Sequence, residues 1–272
     1  MVTHEFHAPV APLFVPGDRP DRFAKAAQSG ADAVILDLED AVAPENKDEA
    51  RSNVADHALR DLPVIVRING SATDWFKADL AALSGVPLAA IMLPKAESAA
   101  DLAAVQIGLG RAVPIIPLIE TARGLVNLSE ILSGQGAKVA AFGSLDFALD
   151  LGYIPAWDNL IAARSELALR SRAFGLPAPI DGVTPCIDDI ALIETEARRA
   201  SSLGFGGKLA IHPRQIAPIR TAFEPSDDQI MWAKRVIACE QSGVAKIDGM
   251  MIDRPVLLKA RQVLAYGKRS GE

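Results

Sequence analysis

The sequence predicts a (β/α)8 barrel followed by a short C-terminal extension, and three observations lead there. Eight strand-like apolar runs, each followed by a helical pattern, are spread over about 250 residues, which is the arithmetic of that fold. The clearest runs are nearly continuous and rich in β-branched residues, as strands buried on both faces are. Nearly every run stops at a charged or polar residue, on the edge where parallel α/β architectures bind ligands. An open doubly wound sheet is the alternative, but its glycine fingerprint is missing. Gly108-Leu109-Gly110 lacks the third glycine of a dinucleotide loop, and Gly206-Gly207-Lys208 runs on into Leu209, so it is no phosphate loop.

Taken in order, the first run is residues 13–16 (LFVP), and the turn Gly17-Asp18-Arg19-Pro20 leads from it into a helix to about Gln28. Residues 33–39 (AVILDLE) form the second, with a polar-faced helix over 44–59. The third is 64–69 (VIVRIN), then a helix over 74–83; the fourth is 90–95 (AIMLPK), then a helix over 98–108. The fifth, 115–119 (IIPLI), ends abruptly in Glu120; Thr121 is placed to cap a helix over 122–131. The sixth is 139–144 (VAAFGS), followed by a helical insertion and a long helix over 160–174. A weaker seventh, 179–184 (PIDGVT), and an eighth, 207–212 (GKLAIH), precede helices over 213–222 and 227–242. No linker divides the barrel, so residues 1–245 read as one catalytic domain. Residues 246–272 read as an extension packing on the barrel or on a neighbouring subunit.

Composition narrows the function. Half of the 272 residues are hydrophobic and 23% are charged, a globular profile. A net charge of −6 and a pI near 5.3 argue against a nucleic-acid-binding surface. Cys186 and Cys239 have neither metal-ligand spacing nor a disulfide pattern. The N-terminus, MVTHEFHAPVAP, has no basic and apolar leader regions, and no apolar run is long enough to span a bilayer. A cytoplasmic, non-membrane protein is expected.

Barrel closure would gather the strand ends at one mouth: Asp37, Glu39, Asp40, Arg67, Asn69, Lys95, Glu120, Ser144, Asp146, Asp181 and His212. Glu120 and Asp146 end adjacent strands. Two bare carboxylates at close range repel unless a cation lies between them. Mg²⁺ suits such a pair, because it takes one or two carboxylates and completes its octahedron with water and substrate oxygens. Zinc is disfavoured for want of a His or Cys cluster, and a glycosidase pair is the competing reading. Arg67 beside a metal would hold an anionic group by its planar fork, or else pair with a barrel acid such as Glu39. Lys95 reads as a salt-bridged lysine rather than an imine-forming one. His212 reads as structural or ligand-contacting. The set Arg19, Arg22 and Lys25 reads as solvated, with part of it able to meet phosphate.

Seven motifs in order, LFVPGDRPDRFAKA, ILDLEDAVAPENK, VRING, MLPKAES, PLIETARGL, GGKLAIHPRQI and GMMIDRPVLLKA, together resemble the citrate lyase β-chain and malyl-CoA lyase family, related to the hydroxy-ketoacid aldolases. The likeness runs from about Leu13 to Leu264 and is nearest to the short, free-standing type. It implies an Mg²⁺-dependent lyase that cleaves a malyl-, citramalyl- or citryl-CoA type of 3-hydroxyacyl-CoA to an acyl-CoA and a 2-keto acid. By matching motifs, Glu120 and Asp146 resemble the metal ligands and Arg67 the keto-acid grip. Phe14, Arg19, Lys25, Ile211 and His212 match coenzyme A contacts. Asp253 matches an acid acting in proton transfer, often at a neighbouring subunit's mouth in trimers or hexamers. Two departures stand out: Val10-Ala11 where many relatives have Arg-Ser, and Leu145-Asp146 where many have Glu-Asp, which alters the wall beside the metal. The rival readings are an aldolase on free hydroxy-keto acids, an acyl-CoA thioesterase, and a lyase subunit that needs an acyl-carrier partner.

Overall fold

A computed structural model of the chain describes residues 6–242, 246–247 and 250–269. Residues 1–5, the expected domain boundary at 245, Gly249 at the start of the predicted tail, and residues 270–272 lie outside the described residues. Two compact units are present, Met1–Arg220 and Thr221–Glu272.

The first unit holds eight parallel strands in sequential order. They are β1 (Leu13–Pro16), β2 (Val34–Asp37), β3 (Val64–Arg67), β4 (Ala90–Leu93), β5 (Ile115–Ile119), β6 (Ala141–Phe142), β7 (Ile180–Asp181) and β8 (Gly207–Lys208). The ring closes between β8 and β1. Phe14 N–H donates to Ala210 O at 2.8 Å, Ala210 N–H to Pro12 O at 2.9 Å, and Lys208 N–H to Val10 O at 2.8 Å. This is the (β/α)8 barrel that the sequence predicts. Its interior is packed rather than hollow: Ile35, Ile65, Met92, Ile116, Leu118 and Leu209 meet there, with at most 2% of their surface exposed.

Helices follow the strands in turn: α1 (Phe23–Ala27), α2 (Lys47–Ala55), α3 (Phe76–Leu83) and α4 (Ala99–Leu109), then α5 (Ala122–Val126), α6 (Leu128–Ser133), α7 (Ser144–Asp150), α8 (Ile161–Ala173) and α9 (Ile190–Ser202). Helix α4 starts at a capping box, in which the Ser98 side chain accepts from Asp101 N–H and the Asp101 carboxylate accepts from Ser98 N–H. Thr121 caps α5 as expected, accepting from Gly124 N–H at 3.0 Å. The single helix predicted over 122–131 is instead broken at Asn127, whose side-chain amide donates to Glu97 O at 2.8 Å. The helix predicted over 44–59 stops at Ala55. Val10 and Ala11, the first departure from the family pattern, precede β1 at its N-terminal end, and both their N–H groups are held by the Asp32 carboxylate, at 2.6 and 2.9 Å.

The barrel seam leaves no room for a side chain at Gly207. A methyl there would lie 2.5 Å from Pro9 O and 2.6 Å from Val10 O, well inside contact distance of fixed backbone. Gly207→Ala is therefore expected to lower stability by about 1–3 kcal/mol, read as a reduced urea midpoint with an unchanged slope.

Helix α10 (Ile216–Phe223) crosses the boundary between the units. The second unit contains α11 (Asp227–Ser242), a short antiparallel pair β9 (Lys246–Ile247) and β10 (Met250–Met251), and α12 (Arg254–Arg269). Its small core is built on Ala233, Val236 and Ala260, with Trp232, Val256 and Leu257 packed around them. Among the described residues, no helix is long and apolar enough to cross a membrane.

Candidate active site

Strand register and side-chain parity build the site. Residues on a strand alternate between faces, so the inward positions Ile116 and Leu118 are followed on the same side by Glu120. Asp37 and Arg67 are the last residues of β2 and β3 and stand opposite one another in register. Their pairing is a two-pronged fork: Arg67 Nε to Asp37 Oδ1 at 2.7 Å and Nη2 to Oδ2 at 2.6 Å. Asp37 is fully buried and also accepts the N–H groups of Glu39 and Ala41. The third nitrogen, Arg67 Nη1, lies 2.9 Å from Glu39 Oε2 and 3.4 Å from Asp40 Oδ2. The Glu39 contact is close enough for an ion pair but is not aligned as a hydrogen bond. Arg67 also stacks over the Phe14 ring, 4.8 Å from its centroid. Burial works against the guanidinium charge, but Asp37, then Glu39 and Asp40, outweigh it and hold its pKa above the ordinary value.

Glu120 is 1% exposed. Its Oε1 accepts Lys95 N–H at 2.8 Å and lies 3.5 Å from Lys95 Nζ, which in turn bonds Glu39 Oε1 at 2.7 Å. Burial first, then the Glu39 charge, push the Glu120 pKa up to about 8; Asp146 adds to the rise, while Lys95 and Arg67 oppose it. Glu39 is raised as well, by burial, with Arg67 and Lys95 opposing. Lys95 is thus a salt-bridged lysine, in line with the sequence.

Five carboxylates (Asp37, Glu39, Asp40, Glu120 and Asp146) are gathered here around Arg67 and Lys95. Lys47 adds a third cation beneath them, although its Nζ donates to uncharged acceptors, the carbonyls of Leu38 and Glu39 and Asn69 Oδ1. Five negative groups against three positive ones leave an excess of two. Burial is the main cause of the raised Glu120 pKa, and the negative charges of Glu39 and Asp146 add to it.

A cavity of about 200 Å³ opens onto this cluster. Its polar side is Asp37, Asp40, Arg67, Glu120 and Asp146, and its apolar side includes Phe14, Phe142, Leu145, Val183 and Ile211. Asp146 sits in the first turn of α7, immediately after β6. Among the described residues there is no group of three or more His, Cys, Asp or Glu side chains able to hold a metal. Glu120 and Asp146 both line the cavity and so place two carboxylates on it. That suits Mg²⁺, which keeps water and ligand oxygens for the rest of its shell, and does not suit zinc.

The structure thus brings Phe14, Arg67, Glu120, Asp146 and Ile211 around one cavity. Arg19 is exposed and paired with Asp21 at 3.1 Å, Lys25 is exposed on α1, and neither lines the cavity. His212 caps the turn before α10, its Nδ1 accepting Arg214 N–H at 3.2 Å. Asp253 belongs to the second unit, where it is exposed and caps α12, accepting Val256 N–H at 3.1 Å. Two strand-end residues expected at the mouth do not reach it. Asn69 is buried against Asp79 and Leu38 O. Asp181 is fully buried between Arg164 Nε at 2.8 Å and Lys208 Nζ at 3.0 Å, a network that ties β7 to β8.

Comparison with known proteins identifies relatives of the chain. The family model for HpcH/HpaI aldolase/citrate lyase matches residues 11–213. A citrate lyase subunit beta-like protein of Mycobacterium tuberculosis is 40% identical over 269 residues, covering 96% of this chain and 95% of that protein. A (3S)-malyl-CoA thioesterase of Cereibacter sphaeroides is 35% identical over 278 residues, covering 97% and 96%. The crystal structure of CitE from Mycobacterium tuberculosis in complex with magnesium, acetoacetate and coenzyme A superposes with a TM-score of 0.89 at 38% identity, covering 98% of this chain and all of that one. With the barrel, the register-built ion pair and a match spanning most of the barrel all in place, the chain belongs to the HpcH/HpaI aldolase/citrate lyase family and is an enzyme of the lyase type.

Proposed function

We propose that the protein is an Mg²⁺-dependent carbon–carbon lyase that cleaves a 3-hydroxyacyl-CoA into an acyl-CoA and a 2-keto acid. The observation that carries this reading is the excess of negative charge around Glu120 and Asp146, open to a cavity and matched to one divalent ion. The bound magnesium and coenzyme A of the CitE complex support it. Glu120 and Asp146 would hold the ion, which when bound acts as a Lewis acid on the substrate's oxygens.

The chain's own residues do the rest. Arg67 binds the substrate carboxylate through Nη1, exchanging its contacts to Glu39 and Asp40 for the ligand while the Asp37 fork keeps the guanidinium in place. The hydroxyl proton passes to water in the open cavity, the bond between the hydroxyl-bearing carbon and the carbon next to the thioester breaks as the keto-acid carbonyl forms, and the electron pair of that bond passes to the thioester enolate. Asp253, supplied by a neighbouring copy as the family resemblance implies, protonates that carbon and is the base in the reverse direction. Phe14 and Ile211, assigned to coenzyme A by motif, also line the cavity. Arg19, Lys25 and His212 are assigned to coenzyme A by motif alone.

Among the described residues, Arg67 is the only cation lining the cavity, where it faces four acids. A second carboxylate on the keto acid would face those four acids, and Leu145 adds an apolar wall. This favours malyl- or citramalyl-CoA over citryl-CoA.

The similarity to a malyl-CoA thioesterase supports a second reading, hydrolysis of the thioester. Purified protein with Mg²⁺ and a panel of malyl-, citramalyl- and citryl-CoA separates the two. Keto acid trapped as a hydrazone without free thiol is expected. Free thiol without keto acid would replace the lyase with a thioesterase, and no turnover by the isolated chain would indicate a subunit needing a carrier partner.

A further inference from the structure

The Glu120 carboxylate is confined from two sides by residues to which the chemistry above gives no part. On one side stands Lys95, which among the described residues is the only non-glycine residue with positive φ, at 49°. That left-handed conformation is unfavourable for any residue bearing a Cβ, and persists only where the surroundings impose it. In this conformation the Lys95 N–H donates to Glu120 Oε1, 2.8 Å away. On the other side lies Gly143. A methyl at this position would come within 2.4 Å of Glu120 Oε2 and 2.5 Å of Glu120 Cβ. The Gly143 φ of −89° is open to any residue, so only space calls for glycine here.

The two carboxylate oxygens are therefore inequivalent. Oε1 is engaged by Lys95, whereas Oε2 accepts no hydrogen bond from the described residues and lies over the bare Cα of Gly143, at the start of the helix that carries Asp146. We propose that Lys95 and Gly143 are positioning residues that clamp Glu120 in one rotamer, with Oε1 fixed by the Lys95 backbone and Oε2 presented beside Asp146 to a divalent cation. The proposal rests on the reading of Glu120 as a metal ligand. It gives Lys95 a task in its main chain, distinct from the ion pair of its ammonium group.

Mn²⁺ binding to the full-length protein, followed by the electron paramagnetic resonance of the free ion, tests the clamp without any turnover. Lys95→Gly keeps the N–H and adopts positive φ without strain, so its Mn²⁺ affinity should stay within about threefold of wild type or tighten as a nearby positive charge is removed. Lys95→Val resists positive φ because its side chain branches at Cβ, and should weaken binding by about 10–100-fold, the usual effect of losing a residue that orients a ligand. Gly143→Ala should weaken it by a similar factor. Melting temperatures identify any variant that fails to fold, and Lys95→Val stands as the decisive arm if Gly143→Ala is one of them. At saturating Mn²⁺ the kcat of Lys95→Val should recover while its acyl-CoA KM stays unchanged, a split that general structural damage would not give. Wild-type affinity in a folded Lys95→Val, or a loss in Lys95→Gly equal to that in Lys95→Val, overturns the clamp and leaves the metal site standing. Absence of Mn²⁺ binding by the wild-type protein overturns the metal site and the clamp together.

Discussion

Glu120→Gln is expected to lose Mg²⁺-dependent turnover by roughly 10³-fold or more, since Lewis-acid stabilisation is worth several kcal/mol, and at the same time to stabilise the metal-free protein at alkaline pH. The second effect follows from proton linkage. In the folded chain the buried Glu120 keeps its proton up to about pH 8, whereas an unperturbed glutamate releases it near 4.5. Between those values the folded state binds more protons than the unfolded one, so the contribution of this group makes stability fall as pH rises through the window. Below the lower value both states are protonated and the group contributes nothing; above the upper one the full cost of a buried charge is present. Melting curves of wild type and variant at pH 5, 7 and 9, each with Mg²⁺ and with EDTA, separate the terms. Without metal the wild type should lose more stability than the variant between pH 5 and 9, and Mg²⁺ should restore the wild type alone. Equal Mg²⁺ stabilisation of both proteins would exclude Glu120 as a ligand.

Arg67→Met is expected to be the most destabilising single change in the site. It leaves Asp37 fully buried with its fork removed, and leaves Glu39 and Asp40 without the cation between them. Breaking a buried pair by deleting one partner costs about 3–5 kcal/mol, or a fall in melting temperature of about 10 °C for a chain of this size. Arg67→Lys keeps the charge but not the planar fork, so it should keep part of the stability while still weakening keto-acid binding. The double variant Asp37→Asn with Arg67→Met should recover part of the loss, and the coupling in that cycle measures the pair itself. A loss below about 1 kcal/mol in Arg67→Met would show that the Asp37 fork contributes little to holding the two strand ends together.

The legible parts of the fold are those that burial patterns on its own. The first five strands are runs of β-branched and aliphatic residues, and the observed strands lie within the predicted runs. Strands β6 to β8 have only two residues each, and their predicted runs are longer because neighbours such as Val139, Ala140 and Leu209 are buried beyond the strand ends. The break at Asn127 depends on a partner 30 residues away, the carbonyl of Glu97, which no local pattern carries. In the site, Arg67, Glu120 and Asp146 could be singled out because each lies at or shortly after the end of a strand. Asp181 shares that position yet points into a charged core, because Arg164 from α8 and Lys208 from β8 arrive from distant sequence to surround it. The backbone of Lys95 was not legible at all, since nothing in Pro94-Lys95-Ala96 announces a left-handed residue where glycine is absent.

The bonds between β8 and β1 have a consequence for synthesis. Phe14 and Ala210, about 200 residues apart, are joined directly, so the ring is made of neighbour-to-neighbour pairings except for this one contact of very high sequence separation. While the ribosome is still translating the segment before Gly207, the first strand leaves the exit tunnel with one hydrogen-bonding edge unsatisfied, open to pairing with another nascent chain. Delivery of that last strand is the event that removes the edge, which makes the timing of its release a determinant of yield.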